Sequence, residues 1–148
     1  MRIVVCGSMA FAKEMLKTKK TLEEKGHFVF LPDETVGYAE EDILIKQKQV
    51  QKDEAEAGAR RKIEMDLIRK HYEKIKNSDA ILVLNHERRG IKGYIGGNTF
   101  LELGFAHVHN KPIYLINDIP LEPPYFLEEI KAMRPLVLNG DLDKIWEV

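Results

Sequence analysis

The feature that most constrains the fold is the alternation of short apolar runs with segments of helical periodicity. The first two runs end at Gly7 and Pro32, as buried strands commonly do. Helical spacing between the runs covers 11–25, 59–77, 99–108 and a short segment near 126–133. The predicted strands are 3–6, 27–31, 80–84, 112–116 and 136–138. This order predicts a flavodoxin-like or Rossmann-like three-layer α/β sandwich around a mostly parallel five-stranded sheet.

Composition predicts one globular domain over residues 1–148, with 44% hydrophobic and 32% charged residues. The 23 basic and 24 acidic residues nearly balance, which gives no overall preference for nucleic acid or an anionic membrane. No apolar run approaches the ~20 residues that span a bilayer. The single cysteine, Cys6, excludes an internal disulfide, and no metal-site spacing occurs. We therefore expect a cytoplasmic protein without cofactor or metal, and Cys6 as a small buried apolar residue.

A polar helical segment is predicted at about 39–60. Its charged run, 46–62, is interpreted either as a solvated face or as a helix that packs on a second subunit. Gly58 is expected to break or bend this segment. The helix predicted over 59–77 carries an apolar stripe in which residues repeat every four positions, namely Ile63, Leu67, His71 and Ile75.

Glu102 has the most informative context of any titratable residue. It follows the glycine-rich stretch Gly96-Gly97-Asn98-Thr99 and is expected in the first turn of an apolar helix. Thr99 and Glu102 have the spacing of a capping box, in which both side chains bind backbone amides. Alternatively, Glu102 is a nucleophile in a pocket, where the glycines admit a ligand and the helix N-terminus lowers the pKa of the acid. Gly104 is then expected to allow tight packing of this helix.

Two other segments are expected at the same edge of the sheet. Gly7-Ser8-Met9 follows the first strand and is either a phosphate- or carboxylate-binding turn or a plain strand-to-helix connection. In the long loop 86–98, Arg88, Arg89 and Lys92 are candidates for holding an anion and Tyr94 for stacking on a flat ring, unless the loop is merely solvated. Asn85 either contacts a polar ligand or closes the turn after its strand.

The order of these motifs resembles a known family. The segments Asp79-Ala80-Ile81-Leu82-Val83-Leu84, Thr99-Phe100-Leu101-Glu102-Leu103-Gly104-Phe105-Ala106 and Lys111-Pro112-Ile113 are similar to the nucleoside 2-deoxyribosyltransferase family, which includes the deoxynucleoside 5′-monophosphate N-glycosidases. The resemblance covers most of the chain and is most specific over 79–113. It implies a small nucleoside or nucleotide substrate and a homodimer or larger oligomer with shared pockets.

The same resemblance implies roles for three residues. Glu102 matches the nucleophile that attacks C1′ of the sugar, and Ser8 matches a serine that binds the 5′-phosphate. The family's acid on the helix before the central strand falls at His71, so a histidine replaces it here. The stretch 96–99 also departs from the family's Asp-x-Gly-Thr and lacks its acid.

These residues lead to two main hypotheses. The first is an N-glycosyl hydrolase or transferase that proceeds through a covalent glycosyl-glutamate at Glu102. A histidine with a pKa near neutrality would be able to protonate the leaving base, which is the role predicted for His71. The alternative for His71 is a partly buried residue of the apolar stripe whose hydrogen bonds are satisfied. The alternative is a non-catalytic nucleotide-binding or sensing domain of the same fold, and a structural subunit in which Glu102 only caps its helix is a third reading.

Overall fold

A single five-stranded parallel sheet organises the protein. The computed structural model describes residues 1–41 and 51–146. All neighbouring strands pair in parallel, in the order β2-β1-β3-β4-β5. The strands are β1 (Arg2–Gly7), β2 (Phe28–Phe30), β3 (Ala80–Leu84), β4 (Ile113–Leu115) and β5 (Leu136–Val137). This order confirms the predicted flavodoxin-like sheet.

Helices cover both faces of the sheet. They are α1 (Ala12–Glu24), α2 (Thr35–Glu41), α3 (Gln51–Glu64), α4 (Leu67–Lys76), α5 (Gly97–Val108) and α6 (Pro124–Ala132), with short 3₁₀ helices at Met9–Phe11 and Leu142–Trp146. Alternate residues of β1 and β3 face opposite ways because successive side chains of a strand do so. One face packs on α1, and the other packs on α4, α5 and α6.

The helix predicted over 59–77 is broken. α3 continues through Gly58 to Glu64, and the chain turns at Asp66, whose φ of 51° is left-handed and incompatible with a helix. The predicted break at Gly58 is therefore wrong, since one glycine inside a helix costs only about 1 kcal/mol. The turn also removes Ile63 from the predicted apolar stripe and leaves it 78% exposed, while His71 and Ile75 of α4 are buried.

Part of the polar segment can be compared with its prediction. Residues 39–41 lie in α2 and 51–60 in α3, whereas 42–50 are outside the described residues. Among the described residues, no helix is both long and apolar enough to cross a membrane.

The loop 86–98 is attached firmly to the end of the sheet. Asn85 is fully buried and its Nδ2 donates to the carbonyls of Asn117 and Asp118 at 3.0 and 2.9 Å. Its Oδ1 accepts from the Asn117 backbone N–H at 2.9 Å. Gly93, at φ 68°, lies so close to the next loop that a Cβ there would be 2.5 Å from the Asp118 carbonyl oxygen. These contacts hold the loop against the carboxyl ends of β3 and β4.

Candidate active site

A cavity of about 490 Å³ lies at the carboxyl ends of β1 and β3. Its walls come from the turn after β1, the turn after β2, helices α2 to α4, loop 86–98 and the start of α5. Eleven sequence-predicted site residues line it: Gly7, Ser8, Met9, His71, Arg88, Tyr94, Gly96, Gly97, Asn98, Thr99 and Glu102. Parallel topology explains this convergence, because the turns after neighbouring strands emerge at one edge.

Asn85 is the predicted site residue that does not line the cavity. Its side-chain amide binds only backbone groups of the loop that follows β4. These bonds join two loops rather than closing the turn after β3, so they match neither of its two interpretations. A polar residue at the end of a central strand fits either a ligand-binding or a turn-closing role. Nothing in the sequence indicated that Asn85 would bind the loop after β4.

Glu102 does not cap its helix. α5 begins at Gly97 with Gly96 as its N-cap, and the first helical bond runs from the Phe100 N–H to the Gly96 carbonyl at 2.9 Å. Glu102 therefore lies in the second turn, where a capping box is impossible. Its side chain points inward, is 5% exposed, and its Oε1 accepts from Asn98 Nδ2 at 2.9 Å. The capping-box interpretation is wrong because the helix starts earlier than predicted.

Gly104 does not serve tight packing either. A Cβ built at this position meets no other atom within 4 Å, so the helix would accept a side chain there. Gly96 differs, because its Cβ would lie 3.1 Å from the Tyr94 hydroxyl at the cavity wall. A side chain at position 96 would therefore crowd Tyr94, whereas the predicted approach of this stretch to a ligand stays a prediction.

Glu102 faces two other buried side chains. Its Oε2 lies 3.6 Å from Nε2 of His71, and the same Nε2 lies 3.5 Å from Sγ of Cys6. Ligand-type atoms of the three residues all lie within 4.8 Å of one another. Within the described part of the chain, Glu102 Oε2 and His71 Nδ1 have no hydrogen-bond partner. Cys6, His71 and Glu102 therefore form a compact cluster, in which His71 and Glu102 line the cavity floor and Cys6 lies beneath it.

Burial controls the protonation of this cluster. Desolvation raises the pKa of Glu102 to about 7, although the Cys6 thiol, Lys62 and Asn98 pull it down. The lowered pKa predicted from the helix N-terminus is wrong, because loss of water outweighs the helix dipole at a residue this deep. Burial likewise raises the pKa of the Cys6 thiol well above its usual range.

His71 also differs from its prediction. Burial, followed by the charge of Lys74, lowers its pKa to about 4, and Asp33 only partly opposes this shift. The imidazole is therefore neutral at neutral pH, and the expected pKa near neutrality is wrong. A neutral ring is suited to hydrogen bonding or to ligation rather than to acting as a charged acid.

Cations from α3 and α4 form one wall of the cavity. Two of them, Arg61 and Lys62, belong to the charged run 46–62, which was interpreted as a solvated face or as a helix that packs on a second subunit. Lys74 forms an ion pair with Asp33, and Arg61 pairs with Glu34 at 3.1 Å. Lys62 and Lys70 form no ion pair within the described part of the chain. Among the residues that the structure describes, the cavity lining holds five cationic side chains (Arg61, Lys62, Lys70, Lys74 and Arg88) and three carboxylates (Asp33, Glu34 and Glu102). This excess favours an anionic ligand.

One sequence signal pointed to this wall. Lys74 lies four residues after Lys70 and three after His71, so it is a neighbour of both on the surface of the helix. Arg61 and Lys62 gave no comparable signal, because their placement depends on the turn at Asp66.

Ser8 and Arg88 meet at another side of the cavity. Ser8 Oγ accepts from Arg88 Nη1 at 2.6 Å and from the Ala10 N–H at 3.2 Å. The Arg88 guanidinium carbon lies 5.5 Å from the centre of the Tyr94 ring. Two predicted anion-binding groups are thus placed in direct contact, although the sequence separates them by 80 positions.

The fold and cavity define a doubly wound α/β protein with a polar, cation-lined site at the strand ends. The chain is similar in structure to a 2-deoxyribosyltransferase from Bacillus psychrosaccharolyticus, with 19% identity, a TM-score of 0.53 and coverage of 93% of this chain and 98% of that one. It also matches a Clostridium botulinum CMP N-glycosidase at 18% identity and a TM-score of 0.41, covering 78% of this chain and 70% of that one.

No protein-family model matches the chain, and no curated protein matches it. At this level of identity the likeness to the deoxyribosyltransferase shows the fold. It confirms the α/β architecture that the motif resemblance implied.

Proposed function

We propose that the protein is an N-glycosyl hydrolase or transferase that cleaves the N-glycosidic bond of a nucleoside or nucleoside 5′-monophosphate. The observation that carries the proposal is the Glu102 carboxyl group, which lies buried at the floor of a cavity of about 490 Å³. A cavity of this volume is within the range of small-ligand sites. The fold shared with a 2-deoxyribosyltransferase supports the same reaction class.

Glu102 is the proposed nucleophile. A carboxylate oxygen attacks C1′ as the C1′–N bond breaks, and the bonding electrons leave with the base, which takes up a proton from solvent water in the cavity. The product is a glycosyl ester of Glu102. Attack at C1′ by water then gives hydrolysis, whereas attack by a second base gives transfer, and either step releases the carboxylate.

His71 is proposed to position Glu102. Its neutral ring faces Oε2 at 3.6 Å, while Asn98 donates to Oε1 at 2.9 Å. Each of the two residues faces a different oxygen of the carboxyl group. A small movement of the imidazole would complete a hydrogen bond from His71 to Oε2. This role needs no charge on His71, in keeping with its lowered pKa.

Ser8 and Arg88 are proposed to bind the 5′-phosphate. The Ser8 hydroxyl and the Arg88 guanidinium already lie in contact, and Lys62 and Lys70 add positive charge to the same cavity. The sugar and base are proposed to lie against a part of the cavity wall formed by Gly7, Met9, Gly96, Gly97 and Thr99. Tyr94 supplies an aromatic face there.

The proposal extends to assembly as a homodimer or larger oligomer. Several apolar side chains remain exposed on α5 and α6, including Leu101 at 46%, Val108 at 70% and Tyr125 at 72%. An apolar surface of this kind is typical of a protein interface.

Chromatography of free bases tests the proposed function. Wild-type protein in chelator-containing buffer is incubated with ribo- and deoxyribonucleosides and their 5′-monophosphates, with and without a second base. We expect release or exchange of base from at least one substrate. If none reacts while a nucleotide raises the melting temperature, the protein is a nucleotide-binding domain and the enzymatic proposal is wrong.

Replacing Arg88 by alanine tests the phosphate site. Loss of a charge-assisted hydrogen bond costs roughly 1.5–3 kcal/mol, so KM for a 5′-monophosphate should rise about tenfold or more. The KM of the matching nucleoside should change little, because it makes no such bond. Lys92→Ala is the matched control, since Lys92 is a basic residue of the same loop that is exposed and does not line the cavity. Equal effects on both substrates would contradict the assignment.

A further inference from the structure

We infer that Cys6, His71 and Glu102 form a binding site for one Zn²⁺ ion. The three residues come from β1, α4 and α5, and each presents a different ligand atom to the same point on the cavity floor. Thiolate sulfur, imidazole nitrogen and carboxylate oxygen are the three protein ligands that zinc takes.

The distances between the ligand atoms match those of groups that share one ion, and Nε2 and Cys6 Sγ are also within hydrogen-bond distance of each other. Nε2 lies 3.5 Å from Cys6 Sγ and 3.6 Å from Glu102 Oε2. Zn–S and Zn–N bonds of about 2.3 and 2.0 Å at a tetrahedral angle place sulfur and nitrogen about 3.5 Å apart, and nitrogen and oxygen about 3.3–3.5 Å apart. The Nε2–Oε2 separation is beyond hydrogen-bond range.

The surroundings of Glu102 also suit a ligand. Asn98 Nδ2 donates a hydrogen bond to Oε1 of Glu102. The other oxygen, Oε2, faces His71. It is buried and has no hydrogen-bond partner among the described residues. Metal-binding carboxylates are commonly held in this way by a hydrogen bond to the other oxygen. The Glu102 side chain is only 6% exposed, so a bound cation would compensate a carboxylate that is largely desolvated.

The site would keep one open coordination position. His71 and Glu102 line the cavity while Cys6 lies beneath it, so the uncovered side of the ion faces the cavity. On binding, the thiol loses its proton to solvent as the Zn–S bond forms, and His71 carries its proton on Nδ1. If the proposed function holds, zinc occupies the oxygen that would attack C1′ and therefore inhibits the enzyme reversibly. The binding itself does not depend on that function.

Titration of the metal-free protein with Co²⁺ and Zn²⁺ tests the site. We expect about one Co²⁺ per chain with tetrahedral visible absorption and a thiolate-to-cobalt charge-transfer band, which stoichiometric Zn²⁺ removes. Cys6→Ser should abolish the charge-transfer band, and His71→Gln should weaken binding at least about tenfold. His107→Gln is the control, because this exposed histidine of α5 does not line the cavity.

Circular dichroism shows whether each variant is folded. If Cys6→Ser does not fold, weaker metal binding by His71→Gln and Glu102→Gln tests the site instead. The inference is wrong if Co²⁺ gives no thiolate band, or if binding is equal in wild type and His71→Gln. The readout is spectroscopic and does not depend on activity. If the protein binds zinc but releases no base, the proposed function is wrong and this inference stands.

Discussion

Glu102→Gln is expected to lower the rate of base release by about 10³-fold or more, with substrate binding largely retained. The glutamine amide has the shape of the carboxyl group, and its oxygen can still accept from Asn98. It cannot, however, form the ester with C1′. The loss should therefore appear in kcat far more than in KM, as expected for a group that acts only in the transition state.

Glu129→Gln provides the matched control for this variant. Glu129 is an exposed glutamate of α6 that does not line the cavity, so the same chemical change there should leave kcat and KM unaltered. If Glu102→Gln kept full activity, the nucleophile would be another group and the proposed mechanism would be wrong.

The same substitution is expected to stabilise the protein at alkaline pH. The pKa of Glu102 is raised from 4.5 to about 7 on folding, so the folded state holds a proton that the unfolded state releases between these values. The stability that protonated Glu102 provides is therefore complete below pH 4.5 and is lost as pH rises through 7. The shift corresponds to roughly 3 kcal/mol at most. Wild type should lose this amount relative to Glu102→Gln as pH rises, whereas the variant should not.

Urea unfolding at pH 5 and pH 8, in buffer with a chelator, measures this difference. Both proteins retain His71, whose lowered pKa has the opposite effect between pH 4 and 6.5, and comparing them cancels it. Glu129→Gln should follow wild type. Parallel stability curves for wild type and Glu102→Gln would show that Glu102 ionises normally in the folded protein.

The sheet was predictable because its signals are local. An apolar run such as 80–84 indicates a buried strand. Because helices alternate with the strands along the chain, neighbouring strands are expected to pair in parallel. The break between α3 and α4 was not predictable, because it depends on a left-handed Asp66 rather than on the glycine at position 58. Arg61 and Lys62 reach the cavity only because of that turn, so their part of the cavity wall was missed with it.

The site was predictable as a set of residues but not in its chemistry. Glu102, Ser8 and Arg88 follow strands whose ends must meet, so their approach follows from topology. The pKa shifts depend on how deeply each group is buried, which spacing does not reveal, and the sign predicted for Glu102 was wrong for that reason. Cys6 was correctly expected to be buried, but its contact with His71 depends on packing between β1 and α4.

The central claim is that Glu102 becomes covalently bound to the sugar, and mass spectrometry of the acid-quenched reaction tests it most directly. With a substrate that wild type cleaves, we expect a glycosyl adduct on the peptide that contains Glu102, and no adduct in Glu102→Gln. Turnover with the adduct on a different residue, or an adduct that survives in Glu102→Gln, would contradict the account.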